Sequence, residues 1–512
     1  MKFRWVSVFL AVAVLGGCIP PNARWASPTS GHVLSPSPSP SSSGSANAAN
    51  WTPCPDVWRG TVDHKPANIS YDCATIKVPE DWAEPSNGRT LDLALVRARD
   101  TRQRDRIGSL LINPGGPGAA GIGYAVYRST ALPAEITRRF DIVGFDPRGV
   151  GQSSPVKCFT DADLDANFAA DPDPVSDQAF NNAVALARRL AQSCGTKYGD
   201  ALRYFSTEQT ARDMDAIRSA VGDKQLTYLG YSYGTLLGAV YAQYFPKNVR
   251  ALVLDGAIDP TVTSEVAAEH QAQGFELAFD NFATWCKANA ADCAIAPDAR
   301  AAVNDALRQA RTDPVSESGR TATAGWVFTA VVASLYSQAG WRVLASSIDQ
   351  LRRGRAAGVF LLADSYADRR RDGTYSNLFD ANSVINCTDD DHVPTVEHVR
   401  QLQTAWRTKY PLFGASIALN LICAQWPGKH DPYPSAAASG SAPIVVVGTK
   451  GDPATPYEQA GALAKMLGVG TVVTWEGEGH TAYPKTRCVT DAVDRYLIDL
   501  KVPDESLTCP PS

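Results

Sequence analysis

One stretch of the sequence decides the fold: Leu226-Thr227-Tyr228-Leu229-Gly230-Tyr231-Ser232-Tyr233-Gly234-Thr235. It begins with apolar and β-branched residues, which are typical of a buried strand, and then places a serine between two glycines. After Gly234, apolar residues recur with helical spacing until Pro246 ends the pattern. A strand, a tight Gly-x-Ser-x-Gly turn and a helix form a nucleophile elbow, whose strained backbone lifts the serine hydroxyl clear of the sheet. The stretch therefore predicts that Ser232 is a catalytic nucleophile.

The composition is that of a globular protein. The chain has 512 residues, of which 44% are hydrophobic and 20% are charged, and this length allows a large core and more than one minimal domain. The net charge is -5 and no basic block occurs, so the sequence lacks the electrostatic footprint of a nucleic-acid partner. Beyond the N-terminus, no apolar run is long enough to span a membrane.

The N-terminus has the pattern of an export signal. Lys2 and Arg4 precede an apolar run from Trp5 to Leu15, and small residues then lead to Cys18. This looks like a bacterial lipoprotein signal, in which the new N-terminal cysteine is lipidated. We therefore expect a signal peptide at 1–17 and an exported protein that contacts the membrane only through a lipid anchor on Cys18. The alternative is a plain secretory signal with a chance cysteine.

The cysteine count agrees with export. Eleven cysteines are present. An odd number in an exported protein leaves at least one cysteine outside the intramolecular disulfides. Lipidation of Cys18 leaves ten cysteines, which fall into sequential pairs with modest separations. We predict the disulfides 54–73, 158–194, 286–293, 387–423 and 488–509, although the sequence alone does not prove the pairing.

The rest of the chain divides by composition. Residues 18–50 are rich in Ser, Pro, Ala and Asn, so we expect an extended tether. From residue 51, short apolar strands alternate with amphipathic helices, which predicts an α/β protein with a mostly parallel sheet covered on both faces. Over residues 258–430, which we call the cap, helical patterns dominate as in a helical insertion. The sheet core is thus predicted at 51–257 and 431–512.

Individual elements follow from periodicity. The strand pattern outside the elbow occurs at 74–78, 90–98, 107–113, 140–145, 249–254, 443–448 and 471–475. Helices are predicted at 207–221, 265–288, 341–364 and 489–500, with Thr207 as the N-cap of the first.

Asp452 is the predicted acidic partner of the catalytic base. A serine hydroxyl is a weak nucleophile unless an oriented base takes its proton. In chains with this elbow the order is Ser, then acid, then His, with the acid and the His on loops after strands. Asp452 follows the strand at 443–448, although Gly451-Asp452-Pro453 also suits a plain turn. Asp255 and Asp259 are the rivals, and their positions favour structural turn or cap-hinge roles.

His480 is the predicted base. It lies in Gly479-His480-Thr481 after the strand at 471–475, and an imidazole that titrates near neutral pH suits general-base catalysis. The alternative is an ordinary loop histidine. Among the other histidines, His430 near the end of the cap is the competitor.

Two backbone amides are expected to stabilise an oxyanion. One is the amide of Tyr233, directly after the nucleophile. The other comes from the turn Pro114-Gly115-Gly116-Pro117-Gly118, where the lack of side chains lets the backbone approach a substrate. Pro117 has no amide hydrogen, so we predict Gly116, with Gly115 next. The alternative is a plain tight turn.

The sequence indicates no metal or cofactor. His392 and His398 lie near the acidic run Asp389-Asp390-Asp391, so a metal site there is conceivable. A solvated charged loop is much commoner for such a run. We therefore predict that the chemistry uses protein side chains alone.

Together these motifs resemble those of the secreted bacterial tripeptidyl aminopeptidase family, α/β-hydrolases related to proline iminopeptidases. The matching segments are 113–118, 145–149, 230–234, 381–389, 448–456 and 479–480. They extend over nearly all of the mature chain. The resemblance implies an α/β-hydrolase fold with an inserted helical cap. It also implies a serine exopeptidase that releases short peptides, such as tripeptides, from free N-termini, with Ser232, Asp452 and His480 as its triad.

The chain departs from proline iminopeptidases before the paired glycines. It has Asn113-Pro114 where those enzymes have a histidine, which favours the tripeptidyl branch over removal of single prolines. Recognition of an amino terminus needs a carboxylate in the cap that binds an ammonium group. Asp389 and Glu276 are the candidates, although a carboxylate in such a position is more often simply solvated or capping.

Three functions are compatible with these residues. A peptidase is favoured by the resemblance, and an esterase or lipase could use the same triad. A catalytically inactive binding module of the cell envelope is a third reading, which the filled triad positions disfavour. Peptide or protein substrates are the partners that the sequence indicates, and it leaves the oligomeric state open.

Overall fold

The computed structural model describes residues 48–54, 68–390, 394–505 and 507–511. The predicted signal peptide, Cys18 and most of the tether lie outside the described residues. No helix within the described ranges is long and apolar enough to cross a membrane.

A large sheet forms the centre of the protein. The described strands are β1 (Thr52–Pro53), β2 (Ile69–Pro79), β3 (Thr90–Asp100), β4 (Gly108–Asn113), β5 (Phe140–Phe145), β6 (Leu226–Tyr231), β7 (Val249–Asp255), β8 (Ser316–Glu317), β9 (Arg320–Thr321), β10 (Ile444–Gly451), β11 (Gly470–Glu478) and β12 (Leu507–Cys509). Ten of them form one sheet in the order β1-β2-β3-β5-β4-β6-β7-β10-β11-β12, and β8 pairs with β9 in a small hairpin. The predicted strands are all present.

The sheet is mostly parallel, as predicted. Strands β5, β4, β6, β7, β10, β11 and β12 run parallel, and only the pairs that involve β1, β2 and β3 are antiparallel. Every residue of β4, β5 and β6 is buried, because helices cover both faces of a parallel sheet. The register aligns Ile112 with Leu229 and Leu229 with Val253. The carboxyl ends of the central strands therefore meet at one edge.

Helices cover the sheet and fill the cap. They are α1 (Gly121–Ala131), α2 (Ala134–Arg139), α3 (Asp161–Ala169), α4 (Asp177–Tyr198), α5 (Thr207–Ala220), α6 (Tyr233–Tyr244), α7 (Ser264–Ala288), α8 (Ala299–Thr312), α9 (Ala324–Leu335), α10 (Gly340–Arg352), α11 (Ala357–Ala367), α12 (Leu378–Asp389), α13 (Val396–Lys409), α14 (Gly414–Ile417), α15 (Glu458–Leu467) and α16 (Arg487–Asp499). Short 3-10 helices occur at Gly199–Tyr204, Pro246–Asn248 and Cys423–Gln425.

Two helix predictions need correction. The helix predicted at 341–364 is two helices, α10 and α11, because the chain turns at Gly354, whose φ of +82° suits glycine alone. The N-cap of α5 is Ser206 and not Thr207. The Ser206 side chain accepts a hydrogen bond from the Gln209 amide, so Thr207 is the first helical residue and its hydroxyl is used elsewhere.

The cap consists mainly of helices α7 to α14, which lie between β7 and β10 in the chain. Its hydrophobic cluster also takes in buried residues of α3 and α4, including Leu164, Phe168 and Leu190. The long excursion between β5 and β6 therefore joins the helical layer, although residues 51–257 read as sheet core in the sequence. The boundaries at 258 and 430 stay predictions.

All five predicted disulfides are present. They join Cys54 to Cys73, Cys158 to Cys194, Cys286 to Cys293, Cys387 to Cys423 and Cys488 to Cys509. The first joins Cys54, directly after β1, to β2, the last joins α16 to β12, and the other three lie in the helical layer.

Candidate active site

Ser232 occupies a strained turn between β6 and α6. Its φ is 55° and its ψ is -124°, and the residue is only 3% exposed. The turn is tight, since a Cβ on Gly230 would lie 2.3 Å from the Gly234 carbonyl oxygen. The Ser232 amide donates to the carbonyl of Asp255 at the end of β7, 2.9 Å away. Neighbouring strands of the sheet thus fix the serine at the amino end of α6.

Asp452 lies on the loop after β10 and is fully enclosed. Its Oδ1 accepts hydrogen bonds from the amides of Ala454 and Thr455, each 2.9 Å away. Its Oδ2 accepts a hydrogen bond from the amide of Thr481 at 3.2 Å. These donors come from the Asp452 loop and the His480 loop, so the carboxylate joins the two.

His480, on the loop after β11, faces this carboxylate. Its Nδ1 lies 2.9 Å from both oxygens of Asp452. A proton held on Nδ1 leaves Nε2 as the basic nitrogen, which is the tautomer that general-base catalysis needs. Burial alone raises the pKa of Asp452, but the charge and hydrogen bond of His480, with the amides of Thr455 and Thr481, hold that pKa below its usual value.

The imidazole lies in the same neighbourhood as the serine. A Cβ on Gly256 would be 3.0 Å from Cε1 of His480, and Gly256 follows Asp255, whose carbonyl accepts the Ser232 amide. The carboxyl ends of β6, β7, β10 and β11 therefore bring Ser232, Asp452 and His480 together at one edge of the sheet.

Thr455 is a site residue that the sequence analysis missed. Its hydroxyl lies 3.0 Å from Oδ2 of Asp452 and 3.3 Å from Nδ1 of His480. It therefore supports the acid and the base at once. The sequence signal for this role is the position of Thr455 three residues after Asp452 in a predicted turn. Hydroxyl and carboxylate side chains form local hydrogen bonds in such turns.

The two rival aspartates have structural surroundings. Asp255 is fully buried and accepts hydrogen bonds from the amides of Ala482 and Tyr483. Burial raises the pKa of Asp255 to about 6, although the hydrogen bonds from those amides and the nearby positive charge act in the opposite direction and lower it. Asp259 accepts hydrogen bonds from the amide and hydroxyl of Thr261 in a local turn. Asp255 thus anchors the His480 loop, and Asp259 shapes a turn.

The glycine turn after β4 packs against the elbow. A Cβ on Gly115 would lie 2.5 Å from the carbonyl of Tyr231 and 3.0 Å from Cβ of Ser232. The Gly115 amide already donates to Oδ1 of Asn113 at 2.8 Å. Among the hydrogen bonds of the described residues, none uses the amide of Gly116 or of Tyr233. This arrangement favours Gly116 over Gly115 as an oxyanion donor.

Helix α12 of the cap crosses above this turn. Nδ2 of Asn382 donates to the carbonyl of Pro117 at 2.9 Å, and Nδ2 of Asn386 donates to Oδ1 of Asn382. One further turn along, Asp389 accepts hydrogen bonds from the amide and hydroxyl of Thr207 at 2.8 and 2.5 Å. The Thr207 hydroxyl also bonds the phenol of Tyr233, at 2.5 Å. A polar stripe on α12 therefore runs from the glycine turn to the side chain beside Ser232.

Glu276 has a different setting. Its carboxylate pairs with Arg300 at 2.6 Å and accepts a hydrogen bond from the amide of Leu412. It therefore ties α7 to α8 and to the segment before α14. An ammonium group would therefore have to displace Arg300 to bind Glu276.

His430 and His398 contact groups outside the triad. Nδ1 of His430 is 2.9 Å from the carbonyl of Cys387, and His398 pairs with Glu265. His392 lies outside the described residues. Within the described ranges, no cluster of three or more His, Cys, Asp or Glu side chains could hold a metal ion.

Fold and site together define the class of protein. The alpha/beta hydrolase fold family matches residues 108–485, and the chain belongs to this family. It is a serine hydrolase. Three relatives cover most of its length.

The names of these relatives indicate different activities. Serine protease Hip1 of Mycobacterium tuberculosis is 36% identical over 537 residues, covering 99% of this chain and 98% of the relative. Carboxylesterase B of the same species is 38% identical over 483 residues, covering 90% of each chain. Tripeptidyl aminopeptidase of Streptomyces lividans is 30% identical over 532 residues, covering 99% of this chain and 97% of the relative. These similarities agree with the resemblance found in the sequence.

Proposed function

We propose that this serine hydrolase is an exported aminopeptidase that releases short peptides, tripeptides above all, from free amino termini. Oγ of Ser232 attacks the peptide carbonyl while Nε2 of His480 takes its proton. The amides of Tyr233 and Gly116 donate to the oxyanion. The C–N bond then breaks as His480 returns the proton to the leaving amine. Water, deprotonated by His480, hydrolyses the acyl-enzyme and restores Ser232.

One observation is central to this mechanism: Nδ1 of His480 lies 2.9 Å from both oxygens of the buried Asp452. The carboxylate holds the ring in the basic tautomer and stabilises the imidazolium that forms during attack. Because the pKa of Asp452 is lowered, the carboxylate stays ionised near neutral pH. Ser232 in its strained turn is the nucleophile that this pair serves.

Asp389 supports the preference for free amino termini. It is only 7% exposed and is joined through the hydroxyl of Thr207 to the phenol of Tyr233. The path from Asp389 to the backbone of Tyr233, the residue after the nucleophile, therefore consists of two hydrogen bonds and the tyrosine side chain. A tripeptide in extended conformation spans about 10 Å, and this length is of the same order as that path. A carboxylate there suits the ammonium group of a tripeptide bound to Ser232.

The relatives support the peptide substrate. One is named a serine protease and another a tripeptidyl aminopeptidase, and each aligns with 99% of this chain. Since the alignments include the cap, which shapes the substrate pocket, they favour peptide hydrolysis more than a likeness of the sheet core alone would.

The test is a series of peptide anilides of one to four residues, each with a free and an acetylated amino terminus. We expect the three-residue anilide with a free amine to have the highest kcat/KM and acetylation to lower it by about 10- to 100-fold. Mass detection on a peptide library shows how many residues leave. Equal rates for free and acetylated substrates would contradict an aminopeptidase.

Asp389→Asn and Glu276→Gln form a matched pair in this assay. Asp389→Asn keeps a hydrogen-bond acceptor but loses the charge, so we expect the advantage of the free amine to disappear. Glu276→Gln should keep that advantage. The reverse pattern would assign the ammonium site to Glu276.

A carboxylesterase is the second candidate, since one relative aligned with 90% of this chain is named Carboxylesterase B. The same triad hydrolyses esters, and the cap decides the substrate. Comparison of p-nitrophenyl esters with peptide anilides distinguishes the two. Hydrolysis of esters with no detectable anilide cleavage would favour the esterase.

Export and lipidation of Cys18 are part of the proposal. The five disulfides support an oxidising compartment. Mass spectrometry of the mature N-terminal peptide should find Cys18 as the first residue with its lipids. Cys18→Ala should release the protein from the membrane fraction, and an unmodified Cys18 in a membrane-free protein would contradict the anchor.

A further inference from the structure

We propose that Tyr336, which follows α9 in the cap, is a positioning residue for His480. The inference rests on the proposed catalytic triad and adds a role for the cap in the chemical step. On this view the cap supports the base directly, in addition to shaping the substrate pocket.

Tyr336 contacts His480 through both its backbone and its ring. The His480 amide donates to the carbonyl of Tyr336 at 2.9 Å. The ring of Tyr336 lies 5.4 Å from the imidazole, with an angle of 89° between the two planes, which is the favourable edge-to-face arrangement. Ser337 and Gly479 form an antiparallel bridge beside this contact. The cap therefore pairs with the catalytic loop as one strand pairs with another.

Gly479 makes this approach possible. Its φ is +92°, and a Cβ there would lie 2.7 Å from the carbonyl of Tyr336. Any other residue would strain the backbone and push the cap away from the loop. The glycine before His480 thus has a specific use, which is the contact with Tyr336.

Tyr336 is itself held firmly. It is 4% exposed, and its ring lies 5.9 Å from Phe275 and 6.0 Å from Tyr366. Asp452 holds Nδ1 of the imidazole, while the aromatic cluster of the cap supports the ring from another side. The position of the imidazole therefore depends on two layers of the protein, the sheet core and the cap.

Other cap residues hold the same two loops. Nε2 of Gln271 donates to the carbonyl of Ala454 at 3.0 Å. Nδ2 of Asn281 donates to both oxygens of Glu478 at 3.0 and 3.2 Å. Ala454 follows Asp452 closely in the chain and Glu478 closely precedes His480. The contact at Tyr336 is therefore one of several that join the cap to these segments, and we call the contacts of Gln271, Asn281 and Tyr336 the clamp.

The test compares Tyr336→Leu, Tyr336→Phe and Phe279→Leu. Phe279 is the matched control, because it is a fully buried ring of the cap that packs on Phe282 and Phe413. The readouts are the rate of Ser232 labelling by a fluorophosphonate and the separate kcat and KM for a tripeptide anilide. Labelling depends on the base but not on peptide recognition.

We expect Tyr336→Leu to slow labelling and to lower kcat by about 10-fold, the equivalent of one lost ring contact, with little change in KM. Tyr336→Phe keeps the ring and should restore both rates. Phe279→Leu should leave the labelling rate within about 2-fold of the parent. Circular dichroism and thermal melting confirm that each variant is folded.

Several results would overturn the inference. One is a Tyr336→Leu variant that is labelled as fast as the parent. Another is a loss that Phe279→Leu reproduces or that lies in KM alone. If Tyr336→Leu does not fold, Asn281→Ala tests the support of the base by the cap in its place. An unchanged labelling rate in the Asn281 variant would then contradict the inference. A parent protein that is not labelled at Ser232 would instead overturn the triad, and the inference with it.

Discussion

The nucleophile is held by the sheet core, whereas the acid–base pair is held by the core and the cap together. Ser232 lies in a turn whose contacts come from the sheet core, including Gly115 after β4 and the carbonyl of Asp255 on β7. Cap residues such as Gln271 and Tyr336 form hydrogen bonds with the loops of Asp452 and His480. The difference teaches that the elbow takes its contacts from the core, whereas the loops of the acid and the base take theirs from the core and from the cap.

The largest expected effect tests the core side of this comparison. Ser232→Ala removes the only atom that can form the acyl-enzyme, so we expect turnover to fall by about 10⁶-fold and fluorophosphonate labelling to vanish. The control is Ser334→Ala, since Ser334 is a buried serine whose hydroxyl donates to the Ala330 carbonyl within α9. Residual labelling of the Ser232 variant would mean that another serine is the nucleophile.

Asp452→Asn tests the loop that Gln271 holds. The amide cannot stabilise the imidazolium and favours the wrong tautomer, so we expect kcat to fall by about 10⁴-fold. Asp259→Asn changes an aspartate of a local turn and should keep most activity. If Asp452→Asn were as active as the parent, Asp255 or Asp259 would become the candidate acid.

Acid should inactivate the enzyme through His480. Below the titration of the imidazole, we expect kcat/KM to fall by about 10-fold per pH unit, because a protonated ring cannot act as a base. Asp452 does not account for this loss, since its lowered pKa keeps it ionised in that range. A rate that is constant from pH 5 to 8, measured where chemistry limits turnover, would exclude His480 as the base.

Asp255 requires a control in the same measurement. Its pKa of about 6 means that it also takes up a proton in this range. The asparagine side chain in Asp255→Asn is neutral at every pH. If the fall of kcat/KM in acid is unchanged in that variant, this acid limb of the pH profile belongs to His480. An acid limb that disappears would assign it to Asp255 and the loop that it anchors.

Thr455→Val removes the hydroxyl shared by the acid and the base. A hydrogen bond to a charged group contributes about 1.5–3 kcal/mol, so we expect kcat to fall by about 10- to 100-fold with KM nearly constant. Thr329→Val is the control, because the Thr329 hydroxyl bonds only to the Gly325 carbonyl of its own helix. Equal activities for the two variants would leave Thr455 with a structural role only.

The smallest expected effect concerns the cap side alone. Asn281→Ala breaks the contact with Glu478. We expect kcat to fall by about 3- to 10-fold, the equivalent of about 1 kcal/mol, because Glu478 is not itself a catalytic group and the lost hydrogen bond affects His480 only through the backbone. Asn304→Ala on the exposed face of α8 should have no effect. If the Asn281 variant loses affinity and not kcat, the cap acts on substrate binding rather than on the base.

The sequence predicted the parts of the site that are local. The elbow, the glycine turn and the positions of Asp452 and His480 each follow from a short motif after a strand. The five disulfides followed from neighbouring cysteines. Each of these features depends on residues close together in the chain, so its pattern can be read directly.

Contacts between distant segments could not be predicted. Tyr336 precedes His480 by many residues, and nothing in its own segment marks it for the catalytic loop. The packing of α3 and α4 into the cap depends on how two excursions from the sheet meet. The shift of the α5 cap from Thr207 to Ser206 is a one-residue change, yet it directs the Thr207 hydroxyl to Asp389. Tertiary partners decide such details.

The pairing of the cysteines has a consequence for folding. Each described cysteine is joined to its nearest neighbour in sequence, and the widest separation is 36 residues. With Cys18 lipidated as proposed, an oxidant that joins the remaining cysteines in the order in which the chain emerges makes the native set directly. None of the five bonds has to wait for a later pair and none encloses another pair, so we expect maturation to need an oxidant but no thiol–disulfide reshuffling.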